Sequence, residues 1–229
     1  MAASIELLAN DAPAAVIEGA MEVLARCFSG SEPLDVTRGV TYDEWLPTAR
    51  DAIEGLRGNG LALVARLPTP PDADERTLRE SVLGLVLNCD GHDNTPEVRW
   101  PPEPKFGPIL KVLDALDERA CTPAAPHRDV YVWLLAVDSR ARGQGLGAAL
   151  LRETVRIARE QRYHSVVTEA TSTFTRLICE KLGFVVESEV EYETFELPNG
   201  ERPFAELPRI TQEKGIGKHP SGAFLRLTL

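Results

Sequence analysis

The residues with the most legible chemistry stand in the run Arg142-Gly143-Gln144-Gly145-Leu146-Gly147. Glycines at 143, 145 and 147, set between a β-rich run and an amphipathic run, let the main chain approach an anion closely and turn several N–H donors towards it. The dipole of the helix that follows adds to that field, and Arg142 adds a guanidinium suited to phosphate. The chemistry predicted is capture of a pyrophosphate. Two other readings of the same glycines stand beside it. One is a plain turn between a strand and a helix. The other is a dinucleotide fingerprint, Gly143 to Ala148, with Glu169 where a ribose-binding carboxylate belongs. Too few β–α units follow Glu169 to complete a doubly wound sheet, which counts against the second.

Metal and thiol chemistry find little support. Cys27, Cys89, Cys121 and Cys179 are scattered through apolar surroundings with no C-x-x-C pair and read as buried free thiols. No two of His92, His127, His164 and His219 have the spacing of a helical metal pair, so no metal is expected. A formal net charge of −10 argues against nucleic acid and suits a cationic small molecule, although acidity for solubility alone reads the same way. The start Met1-Ala2-Ala3-Ser4 has no basic region, and no apolar run approaches the ~20 residues of a membrane span. A cytoplasmic protein, monomeric or homodimeric and with no membrane partner, is therefore expected.

These groups need elements to hold them. Ile17, Ala20, Met21, Leu24 and Phe28 recur at helical spacing after Asn10-Asp11-Ala12-Pro13, and the helix should stop near Ser29-Gly30. Thr41-Tyr42-Asp43-Glu44 reads as a capping box for a second helix, which Pro47 should kink or delay. Residues 61–67 and 82–87 are β-rich runs joined by the loop 68–74. The stretch 90–108 holds five prolines, is read as a long loop that excludes regular helix, and precedes a short helix at 109–119, a placement that suits a substrate-side lid. Then follow a strand at 130–137, a helix at 145–160, a strand at 165–169, a helix at 173–182 closed by Gly183, and strands at 184–192 and 223–229. The segment 196–222, with its Asn199-Gly200 turn, reads as a second long loop. Because the early strands need partners from the last third, one α/β domain over residues 1–229 is expected.

The run from Val130 to Leu150, VYVWLLAVDSRARGQGLGAAL, resembles the signature of the GNAT acetyltransferases, in which a strand leads into an R-x-x-G-x-G/A loop. TSTFTRLICEKLGF, residues 171–184, is similar to the K-x-G-F turn of the same superfamily. The resemblance implies a twisted mixed sheet splayed at the cofactor site, with helices on both faces. It implies acetyl-CoA as cofactor, its pyrophosphate at residues 142–147 with Ala148 and Ser172 nearby. The backbone of Leu135, Ala136 and Val137 would pair with the pantetheine amides, and one N–H there would polarise the thioester carbonyl, a contribution on the order of 3 kcal/mol.

Acetyl transfer to an amine of pKa ~10.4 needs a base, because only about one molecule in a few thousand is neutral at pH 7. Glu32 in Ser31-Glu32-Pro33-Leu34 is the carboxylate expected to serve, its loop stiffened by Pro33. Phe28 with Glu32-Pro33-Leu34 resembles the arylalkylamine and dopamine N-acetyltransferase branch, where this glutamate is the base and two hydroxyls at i and i+4 relay protons. Thr171 and Thr175 take those hydroxyl positions here. Many members place a general-acid tyrosine where this chain has Cys179, so tyrosine acid catalysis is not expected. Phe28, Trp45, Tyr131 and Trp133 are expected to line an aromatic acceptor pocket, with core packing as the alternative, and His127 is a lesser base candidate. The function expected is acetylation of a small primary amine, of arylalkylamine or polyamine type. A silent acyl-CoA-binding module, or an enzyme acting on a protein amine or aminoglycoside, are the alternatives.

Overall fold

The computed structural model describes residues 3–120, 122 and 124–229; Met1, Ala2 and Cys121, the last read above as a buried thiol, lie outside the described residues. The elements in chain order are β1 (Ser4–Leu7), α1 (Ala14–Ser31), α2 (Pro33–Arg38), α3 (Tyr42–Leu56), β2 (Leu63–Arg66), α4 (Glu75–Ser81), β3 (Val82–Asp90), α5 (Glu103–Glu118), β4 (Asp129–Val137), α6 (Leu146–Glu160), β5 (Ser165–Ala170), α7 (Thr173–Lys181), β6 (Val185–Glu191), α8 (Leu207–Glu213) and β7 (Ser221–Thr228). The strands form a seven-stranded sheet in the order β1-β2-β3-β4-β5-β7-β6. Of its pairings only β4 with β5 is parallel, which follows from the crossover through α6 that joins them. One apolar cluster packs α1, α3 and α5 on one face of the sheet, and a second packs α6 and α7 on the other.

The single parallel pairing is also incomplete. Register between β4 and β5 runs only from Asp129↔Ser165 to Tyr131↔Val167, although the strands continue to Val137 and Ala170. A bulge lies at the point where the strands part. On the β3 side, Leu87 faces Leu134 while Asn88 faces Val132, so Trp133 is an extra residue in β4; such a bulge bends its strand and increases its twist. Past the bulge, Leu135 and Val137 are partly exposed between the buried Leu134 and Ala136, as expected of a strand that has lost a neighbour.

The opposite end of the pair is clamped. Asp129, 1% exposed, accepts from Arg128 Nη2 at 2.6 Å, from Arg226 Nη1 of β7 at 3.2 Å, and from the Ser165 hydroxyl. Burial alone opposes its ionisation, yet the bonds from Arg128 and Ser165 outweigh it and hold the carboxyl below the ordinary carboxylate range.

Four elements differ from the sequence expectations. The stretch 90–108 is not loop throughout, because α5 starts at Glu103 and carries Pro104 and Pro108. Pro104 sits in the first turn, where its missing N–H costs nothing. Pro108 leaves the Pro104 carbonyl without its helical donor, and Arg38 Nη2 donates to that oxygen at 2.8 Å instead. Residues 196–222 hold α8, which packs against α2. The short helices α2 and α4 were also not expected; each is under two full turns, too short to display periodicity. In contrast, both halves of the Thr41–Glu44 capping box form, and Pro47 is carried within α3.

Asp129→Asn is expected to destabilise the fold by on the order of 3 kcal/mol, measured by urea unfolding at neutral pH, because it removes the buried charge shared by Arg128 and Arg226 and leaves Arg226 ion-paired, among the described residues, with Glu187 alone. Since the folded pKa of Asp129 is lowered, its stabilisation is complete above the unfolded carboxylate value of about 3.9 and is lost as pH falls through the folded one; the difference between the two proteins should shrink in that acid range.

Candidate active site

Glu32 is placed by the helices on either side of it. Its backbone N–H caps α1 through Cys27 O at 3.2 Å, and Pro33 starts α2 while holding Glu32 extended at φ −74°, ψ 126°. Its Oε2 accepts from the N–H of Asp35 at 2.7 Å. Glutamate is a poor N-cap residue, so its presence calls for an explanation beyond capping. Oε1 supplies one: it is buried without a hydrogen-bond partner, and the Thr171 hydroxyl acts on the same carboxyl.

Behind Glu32 lies Asp35, 2% exposed, whose Oδ1 and whose neighbour Trp45 Nε1 also lack partners. Burial lifts both carboxyls. It lifts Asp35 well above the carboxylate range, with the charge of Glu32 adding to the effect, while the Asp35 main-chain N–H, the Thr171 hydroxyl and the Asp35 carboxyl oppose the rise of Glu32. Asp35 escaped the sequence reading, although its place three residues into a Glu-Pro-initiated turn is a helix-start signature.

The glycine loop faces the same space. Gly143 and Gly145 have φ of 73° and 77°, and no atom lies within 4 Å of where a Cβ would stand on either. Gly145 caps α6, leaving the first-turn N–H groups of that helix directed outwards. Gly147 differs, since a Cβ there would meet Ile178 Cδ1 at 3.4 Å, an ordinary contact. Arg142 Nη2 donates to Ser31 Oγ at 2.6 Å, which ties the loop to the residue preceding Glu32.

A cavity of about 850 Å³ joins these parts. It takes in Phe28, Glu32, Trp45, Tyr131, Trp133, the segment 135–137, Thr171, Ser172, Thr175 and every expected loop residue except Gln144. Gln144 stands apart from the cavity wall: its side chain donates to Arg140 O at 2.9 Å and its N–H to Ala141 O at 3.4 Å. His127 lies on the surface at 89% exposure, paired with Asp90. Cys27, also on the wall, is pushed up to about 11 by burial and stays a thiol. Cys179 is fully buried away from the wall.

The aromatic wall is larger than expected. Trp45 packs on Phe28 at 4.6 Å and on Phe106 at 5.9 Å between ring centroids; Trp100 stacks on Phe106 at 4.7 Å and meets Trp133 at 6.0 Å. Trp100 comes from the proline-rich segment, which is stapled to α3 where Arg99 bonds both oxygens of Asp51, at 2.8 and 2.7 Å. Nothing periodic marks Trp100 or Phe106, so only the fold reveals them.

The profile of the family described as "Acetyltransferase (GNAT) family" matches residues 112–184, from α5 to the turn after α7. Over those residues the chain is similar to the GNAT family. No curated protein matches it in sequence. Among solved structures, the C-terminal condensation domain of Ebony in complex with beta-alanyl-dopamine is 15% identical over 100% of both chains, with a TM-score of 0.76. A mosquito arylalkylamine N-acetyltransferase, like 5b, is 19% identical over 99% of this chain and 100% of its own, at 0.69. The Salmonella typhimurium acetyltransferase yncA with its cofactor acetyl-CoA is 15% identical over 100% and 95%, at 0.51. The likenesses establish the GNAT fold, with the arylalkylamine branch among its neighbours.

Gly145→Ala is expected to weaken coenzyme A binding by tenfold or more in calorimetry, since a left-handed residue with a Cβ costs roughly 1–2 kcal/mol and the new methyl enters the anion's space. Gly147→Ala, made where contacts are ordinary and φ is not positive, should bind as the parent does.

Proposed function

We propose that the chain is an acetyl-CoA-dependent N-acetyltransferase acting on the primary amine of a small arylalkylamine, working as one domain whose sheet draws strands from both ends of the sequence. The observation that carries this reading is the unpartnered Glu32 Oε1, buried in an aromatic-walled cavity that also opens on the loop 142–147. A carboxylate in a site with aromatic walls suits a guest that brings an ammonium and an aromatic ring. The same walls favour an arylalkylamine over a polyhydroxylated aminoglycoside.

The residues present fit acetyl-CoA: two open left-handed glycines, a helix N-terminus and Arg142 for its diphosphate, and an unpaired strand edge at 135–137 for its pantetheine amides. When bound, the group supplies a thioester, an activated acyl donor. Glu32 takes the proton of the incoming ammonium, with the Thr171 hydroxyl beside it to pass that proton on and Thr175 one turn along α7. The Asp35 main-chain N–H keeps Glu32 in place. An acyl-cysteine route through Cys27 is disfavoured, because its thiol is held neutral. Backbone donors of β4 beyond the bulge stabilise the developing oxyanion. Cytoplasmic residence belongs to the same proposal; among the described residues no helix is long and apolar enough to cross a membrane.

The test is release of free thiol from acetyl-CoA across a panel of aryl and alkyl amines. Glu32→Gln should lower kcat/KM by about 10²–10⁴-fold without weakening coenzyme A binding. Absence of release with every amine in the panel would instead indicate an acyl-CoA-binding module without catalysis.

Because burial raises the Glu32 carboxyl, its base form is lost at a higher pH than that of an ordinary glutamate. The acid limb of the kcat/KM profile should therefore lie above about 4.3 and disappear in Glu32→Gln.

A further inference from the structure

The cavity holds a second carboxylate that the proposed reaction does not use. Where β4 and β5 part, just beyond the last register pair Tyr131↔Val167, Glu169 of β5 and Tyr131 of β4 meet: the Tyr131 hydroxyl donates to Glu169 Oε2. Both residues line the cavity. Glu169 Oε1 is shielded from solvent and has no partner. Asp117 of α5 has an Oδ1 likewise buried and unpartnered, and its charge acts on both Glu169 and Tyr131. Among the described residues no cationic side chain acts on Glu169. The basic residues of the cavity wall, Arg142, Arg152 and Lys181, stand on the loop and on α6 and α7, the cofactor side.

An unpartnered buried carboxylate oxygen is unfavourable until a donor meets it. Two carboxyls set against one another make a charged donor the better match, since a cation relieves both the missing bond and the repulsion. We infer that Glu169 anchors a second subsite, which takes an alkylammonium carried at the far end of one of the two substrates. The inference rests on the cavity being an acyl-transfer site. The ammonium has two possible carriers: the distal end of a diamine acceptor, or an amino group on the acyl chain of the donor.

Burial first, and then Asp117, lift Glu169 to about 7, against the bond from Tyr131. A cation binding there near neutral pH therefore displaces protons. The other titratable groups facing this point are Tyr131 and Asp117, with Cys89 and His92 behind Tyr131.

The experiment is calorimetry on the full chain at pH 7 in two buffers of different ionisation enthalpy. One arm compares 1,4-diaminobutane with butylamine; the other compares 3-aminopropionyl-CoA with propionyl-CoA. In one arm the charged ligand should bind at least tenfold tighter, or about 1.4 kcal/mol, with proton release, and Glu169→Gln should abolish the preference while the uncharged partner binds within about twofold of the parent. The arm that responds identifies the carrier. Tyr131→Phe leaves Glu169 in place and removes the bond that lowers it, so the preference should persist with larger proton release. Equal binding in both arms, or a loss in Glu169→Gln common to charged and uncharged ligands, would overturn the subsite. So would a preference for tyramine over phenethylamine that depends on Glu169, which would assign a neutral hydroxyl donor instead. These readouts need no turnover, so absence of thiol release would sink the enzymatic reading while leaving the subsite decided by binding.

Discussion

The parting of β4 from β5 is the constraint on which the rest of the molecule depends. Two parallel strands pair over only their first residues, held there by the Asp129, Ser165 and Arg226 network and released beyond it by the extra residue at Trp133. A strand left without a neighbour exposes main-chain donors and acceptors inside a protein, and these must find a partner. The parting is thus a structural liability that calls for a partner.

Charge is distributed around that parting against the sign of the whole molecule. The chain is acidic overall, yet the loop end of its cavity gathers Arg142, Arg152, Lys181 and the N-terminus of α6, while Glu32, Asp35 and Glu169 also line the cavity. Low-dielectric walls between the two groups keep the fields from cancelling. Burial then does what distance from solvent always does to carboxyls, raising Glu32, Asp35 and Glu169 alike. The differences among them come from neighbours: the Asp35 main-chain N–H and the Thr171 hydroxyl for Glu32, the charge of Glu32 for Asp35, a phenol and a second acid for Glu169.

Legibility in the sequence followed the length scale of each feature. The last hundred residues were read almost element by element, because α6 and the strands β4 and β5 carry their periodicity and glycine punctuation locally. The segment 90–108 misled, since five prolines argue against helix by propensity, whereas Arg38, far away in the chain, supplies the donor that Pro108 lacks. The same limit applies inside the site. Gln144 sits in the middle of the loop, yet its N–H and side chain are consumed by Ala141 and Arg140. Asp35, Trp100 and Phe106 reach the cavity through packing between α2, α3 and α5 that no spacing rule encodes.

What the residues determine unaided is local: a glycine loop able to turn N–H groups on an anion, a helix ending at a Glu-Pro step, and the family likeness these carry. Such features depend on backbone freedom and short-range hydrogen bonding, which neighbouring residues settle among themselves. Only the tertiary structure decided that Glu32 and the loop 142–147 open on one cavity, that the expected aromatic residues meet there with two others, and that Glu169 faces the same space. These are statements about desolvation and long-range packing, and a side chain's solvent and its neighbours are known only when the sheet and both layers of helices have closed around it.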